Sequence, residues 1–142
     1  MPQQNRPMPG SVSDWLARAK GDLILAKGPL QEGAFLEDLC FHAQHAVEKA
    51  IKAFYIYHGL VFRYTHDLDE LFNGLREHGI SIPEKVEDSI DLTTYAWGAR
   101  YPGVAEPVTE EEYREAVRLA EEVVNCAEKE LDIINETKPE DI

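Results

Sequence analysis

Residues 34–58 read AFLEDLCFHAQHAVEKAIKAFYIYH, and this stretch decides the fold. Leu36, Cys40, Ala43, Val47, Ala50, Phe54 and Tyr57 recur at steps of four and three. That spacing predicts one unbroken helix with a continuous apolar seam, and Gly59 is placed to stop it. Projection at about 100° per residue gathers Phe41, His45, Glu48 and Lys52 on the opposite side. An ordinary surface helix shows solvent a plain charged face, whereas this one mixes an aromatic with a His, an acid and a base. The helix is therefore expected to be central, with its seam inward and its second face offered to a partner.

Helical patterning extends in both directions. Ser11 or Ser13 caps a first helix whose apolar set is Val12, Trp15, Leu16, Ala19, Leu23, Ala26 and Leu30, with Gly28-Pro29 disturbing its end. A third helix is predicted over Thr65–His78, with Asp67, Asp69 and Glu70 in the first turn, where the helix dipole favours acids. Leu68, Leu71, Phe72 and Leu75 form its buried stripe. Ser81 and Pro83 open a fourth, whose apolar face of Val86, Ile90, Thr93 and Trp97 runs to Gly98. Residues 99–108 contain two prolines and a glycine and break the pattern. Thr109 with Glu112 reads as a capping box for a last helix to about Ile134, burying Tyr113, Val117, Ala120, Val124, Ala127, Leu131 and Ile134. No segment alternates with a period of two. The expected fold is all-α, an up-and-down bundle of about five helices over residues 11–135, with a loose arm at 1–10 and a frayed tail at 136–142.

Composition bounds the function. The 142 residues carry 27 acids against 14 Lys and Arg, a net charge of −13. Residues 105–142 alone hold 13 acids and 4 bases. A chain this acidic gains little from counterion release, so non-specific nucleic-acid binding is excluded. No apolar run reaches the roughly 20 residues of a membrane span. The first residues hold no apolar stretch of the signal-peptide kind, and Cys40 and Cys126 form neither a disulfide framework nor a metal-type spacing. A reducing cytoplasm is the expected compartment.

Three constellations can carry chemistry. His45 and Glu48 lie three apart and can share a metal on one helix face, but His42 projects elsewhere and no second such step appears in another helix. Interface histidines are the simpler reading, so no metal site and no cofactor are assigned. Lys49 and Lys52 read either as solvated helix charges, Lys52 pairing with Glu48, or as phosphate ligands. Tyr95, Trp97, Arg100, Tyr101 and Pro102 cluster where the fourth helix breaks. There Arg100 suits a phosphate and Tyr101 a base, unless the aromatics only cover the end of the bundle.

At these residues the chain resembles the HEPN (higher eukaryotes and prokaryotes nucleotide-binding) domain family. Residues 39–53, LCFHAQHAVEKAIKA, are similar to its second-helix signature, and His66-Asp67-Leu68 and Arg100-Tyr101-Pro102 follow at family-like positions. The likeness runs over roughly Trp15–Leu131, with His45 standing where relatives commonly carry Gln. It implies a bundle of four to five helices that dimerises through its central helices, often encoded beside a small nucleotidyltransferase in two-component or toxin–antitoxin pairs. Many members are metal-independent ribonucleases that use an Arg followed four to six residues later by His. Here no Arg meets that spacing.

The expected function is a non-catalytic, homodimeric module that binds a nucleotide, a nucleotidyltransferase partner, or both. Arg100 and Tyr101, then Lys49 and Lys52, are the nucleotide or phosphate candidates; Phe41, His45, Glu48 and Lys52 are the candidate dimer or partner face; no catalytic residue is assigned. The alternatives are a ribonuclease toxin with a rearranged active site and a purely structural pairing bundle.

Overall fold

A computed structural model describes residues 6–95 and 106–137, and all regular structure among them is helical. In chain order the elements are α1 (Val12–Lys27), α2 (Leu36–Tyr57), α3 (Leu68–Glu77), the single turn α4 (Glu84–Glu87), a 3₁₀ helix (Asp88–Tyr95) and α5 (Glu110–Thr137).

Local chemistry sets most of the boundaries. The Ser11 hydroxyl accepts from the Asp14 amide at 3.1 Å, satisfying one of the donors a helix start leaves open. Asp67 caps α3 by accepting from the Asp69 and Glu70 amides. Thr109 and Glu112 bond reciprocally, each side chain to the other's amide at 3.0 Å, the capping box expected for α5. Gly59 and Gly79 adopt φ of 70° and 78°, and the next amides, of Leu60 and Ile80, turn back to the Tyr55 and Leu75 carbonyls. Those two left-handed closures end α2 and α3.

α2 is the centre. It packs on α1, α5, α3 and the 3₁₀ helix, while α1 also lies against α5. Lys20 pairs with Glu128 and Lys27 with Glu121, so residue numbers rise on α1 as they fall on α5 and the two helices are antiparallel. Ala19, Ala26, Cys40, Ala43, Val47, Ala50, Ala120, Val124, Ala127 and Leu131 are essentially solvent-free. The many alanines permit close approach of the helices, and the predicted seam of α2 is the heart of the core. Tyr113 fastens one end by donating its hydroxyl to the Ala26 carbonyl at 2.6 Å. No helix among the described residues is long and apolar enough to cross a membrane.

The periodicity differs from the structure in four places, the simplest being that α5 runs on to Thr137, past the expected end near Ile134. α1 ends at Lys27, and Leu30 lies beyond it, 45% exposed. α3 begins at Leu68 rather than Thr65, because the Asp67 carboxylate takes the cap. The region expected to be one α-helix from Ser81 to Gly98 becomes a single α turn continued as 3₁₀ helix. Its buried residues are Val86, Ser89, Leu92 and Tyr95, at steps of three rather than the alternating steps expected. A 3₁₀ helix eclipses i and i+3, so a strict three-residue stripe is what that geometry buries. Ser89 is accommodated inside because its hydroxyl donates to the Val86 carbonyl at 2.7 Å. Trp97 and the side chain of Ile134 lie outside the described residues.

Candidate functional site

Gln44, Glu48 and Lys52 form a polar stripe at steps of four along α2, and all three are buried. The residues that close over it come from the segment between α2 and α3 and from α1. Lys52 Nζ donates to Glu48 Oε2 at 2.7 Å. It also lies 5.0 Å from the Phe62 ring centroid and 5.7 Å from that of Trp15, within cation–π range of both. Phe62 meets Trp15 and Tyr55 edge to face. The ammonium is thus held between a carboxylate and two aromatic walls.

The other carboxylate oxygen of Glu48 faces nitrogen. His66 Nδ1 lies 2.8 Å from Oε1, the Gln44 amide nitrogen 3.4 Å, and His45 Nδ1 4.0 Å. Gln44 donates as well to the His66 carbonyl at 3.0 Å, tying the covering segment to α2. Burial by itself raises the Glu48 pKa, but the hydrogen bonds from Lys52 and His66 and their positive charge outweigh it and hold the carboxyl below its ordinary range. Glu48 is therefore an ionised buried acid.

A second cluster joins α1 to α2. Asp22, 9% exposed, lies 2.9 Å from His42 Nδ1 and 2.7 Å from Lys49 Nζ. His42 and His45, three apart in sequence, thus serve different carboxylates on different sides of the helix.

The sequence-predicted residues separate accordingly. Of the expected partner face, Glu48 and Lys52 are enclosed by the chain's own residues, and Phe41 and His45 remain half-buried beside them. Phe41 packs on His45, ring centroids 4.2 Å apart. Lys49 and Lys52, the candidate phosphate ligands on α2, are both engaged by acids of this chain. Arg100 and Tyr101 lie outside the described residues.

Asp22, His66, Phe62 and Trp15 complete these clusters without being readable as site residues by period. A signal existed for Asp22, an acid set within the buried run Ala19, Leu23, Ala26. His66 was marked only by the His66-Asp67-Leu68 step.

Comparison with known proteins agrees with this architecture. No curated protein matches the chain. Among solved structures, the crystal structure of TT1696 from Thermus thermophilus is 31% identical, with a TM-score of 0.71 over 84% of this chain and 98% of that one. The profile described as HEPN domain matches residues 12–131, from the first residue of α1 to the last buried leucine of α5. With most of its length inside that match, the chain belongs to the HEPN domain family.

Proposed function

We propose that this HEPN protein is a non-catalytic pairing module: a homodimer that binds a nucleotide or a nucleotidyltransferase partner in a two-component, toxin–antitoxin-like system. The observation that carries the pairing is an exposed apolar set outside the α2 stripe. Ile24 and Leu25 are 70% and 54% exposed at the end of α1, and Leu30 and Phe35 are 45% and 68% exposed in the turn that follows. Four large apolar side chains uncovered within twelve residues support reading this stretch as an interaction surface. On this reading the outer side of α1 with its turn pairs, beside Phe41 and His45 of the expected partner face, which stay half-buried, while Glu48 and Lys52 lie enclosed behind them.

The non-catalytic reading rests on the sequence, which has no Arg followed four to six residues later by His. Two of the described histidines also serve carboxylates of their own chain, His42 at Asp22 and His66 at Glu48. With Lys49 and Lys52 engaged, Arg100 and Tyr101 are the residues proposed to meet a nucleotide.

Light scattering on the full chain tests the pairing. A dimer mass at micromolar concentration is expected, with Ile24→Glu and Leu25→Glu monomeric but still helical; a wild-type monomer overturns it. RNA cleavage that survives clean preparation and falls with Arg100→Ala overturns the non-catalytic reading in favour of a rearranged ribonuclease. Calorimetry with common nucleotides and no heat leaves pairing alone.

A further inference from the structure

We infer that His45, Glu48 and His66 form a binding site for one borderline divalent transition-metal cation of the zinc class, which clips the segment between α2 and α3 onto α2. One ligand atom from each of the three residues lies within 4.8 Å of the others. The imidazoles belong to different elements, His45 to α2 and His66 to the covering segment, yet their ring centroids are 5.2 Å apart. Their Nδ1 atoms stand 4.0 Å and 2.8 Å from the same oxygen, Glu48 Oε1.

Those separations bracket what a tetrahedral ion requires. Metal–ligand bonds of about 2.0–2.1 Å place neighbouring ligand atoms about 3.3 Å apart. To meet that figure His45 moves in by about 0.7 Å and His66 moves out by about 0.5 Å. Two imidazoles with one carboxylate is a donor set that suits zinc and its neighbours rather than magnesium or calcium, which prefer all-oxygen shells.

The surroundings provide what three ligands alone do not. His45 and Glu48 are fixed on one helix three residues apart. Lys52 occupies Oε2 of Glu48, so the carboxylate presents Oε1 alone and is held in orientation from behind, the role of an outer-shell partner. The His66 side chain is 42% exposed and the His45 side chain 15%, so an ion reaches the site from solvent and water takes the fourth position. The metal displaces the hydrogen bond between His66 and Glu48 and replaces it with two bonds to the ion, cross-linking residues 45, 48 and 66.

Cobalt(II) chloride added to the chelator-stripped full chain tests the site. The expected result is one equivalent bound per chain with the intense visible absorption of a tetrahedral centre, bleached by zinc chloride. His66→Ala lies outside the helices and is expected to weaken binding at least tenfold, while His78→Ala, on a remote histidine, leaves it unchanged. No visible band in the wild-type protein overturns the inference, as does a band that His66→Ala does not weaken. The readout involves neither pairing nor nucleotides, so it stands or falls separately from the proposed function.

Discussion

Lys52 Nζ and Glu48 Oε2 are 2.7 Å apart, with side-chain exposures of only 7% and 5%. An i,i+4 pair of this type on a helix surface contributes about 0.3–0.5 kcal/mol. Inside, the balance changes, because removing Glu48 takes the carboxylate from a buried ammonium, and removing Lys52 leaves the buried Glu48 charge with only His66 and Gln44 against it. Lys52→Met is expected to destabilise the fold by about 3–5 kcal/mol, and Glu48→Met/Lys52→Met together to recover most of that loss. Urea unfolding of the single and double variants measures both; equal losses in all three contradict the pair's mutual dependence.

Lys27 offers the opposite case with the same chemistry. Its ammonium lies 2.6 Å from Glu121, but both side chains are more than 40% exposed. Solvent screening reduces such a bond to well under about 1 kcal/mol, so Lys27→Met is expected to move the urea midpoint little, and less still in high salt.

The depressed Glu48 pKa makes stability depend on acid. Because the folded state holds this carboxyl below its ordinary range, the unfolded chain takes up the proton first as pH falls. The contribution of Glu48 is complete above about pH 4.3, the ordinary glutamate value, and disappears as pH drops through its lower folded value. Glu48→Gln is less stable at neutral pH but should lose less further stability between pH 6 and 3. Unfolding midpoints across that range, compared with wild type, check the difference in slope.

Gly74 on α3 faces the Tyr55 hydroxyl so closely that a Cβ there meets the oxygen and ring carbon of Tyr55. That hydroxyl donates to the Leu71 carbonyl at 2.6 Å and anchors α3 to α2. Gly74→Ala should therefore cost about 1–3 kcal/mol despite alanine's better helix propensity. In a Tyr55→Phe background, where the clashing oxygen is gone, the same substitution should cost distinctly less. A double-mutant cycle by thermal unfolding reads this coupling.

Much of the architecture was determined by the sequence alone, because it rests on short-range rules. The α2 seam from Cys40 to Ala50 is a matter of 3.6-residue period, the Thr109–Glu112 box of local hydrogen bonding, and the stops at Gly59 and Gly79 of backbone freedom at positive φ. The 3₁₀ helix shows where such rules fail. Val86, Ile90 and Thr93 fit an α pattern as text, while packing against α2 and α5 selects the tighter winding that buries Val86, Ser89, Leu92 and Tyr95. Only the tertiary structure shows that two members of α2's second face, Glu48 and Lys52, are enclosed by the chain itself while Phe41 and His45 stay half-buried. Phe41, His45, Glu48 and Lys52 are grouped by helical projection, yet whether a partner or the chain itself covers them depends on where residues 58–67 run. Phe62 and His66 close over Lys52 and Glu48 from positions that carry no period linking them to α2. Burial of a charge is a long-range property, set by whatever the rest of the chain lays across it, and no local pattern encodes that.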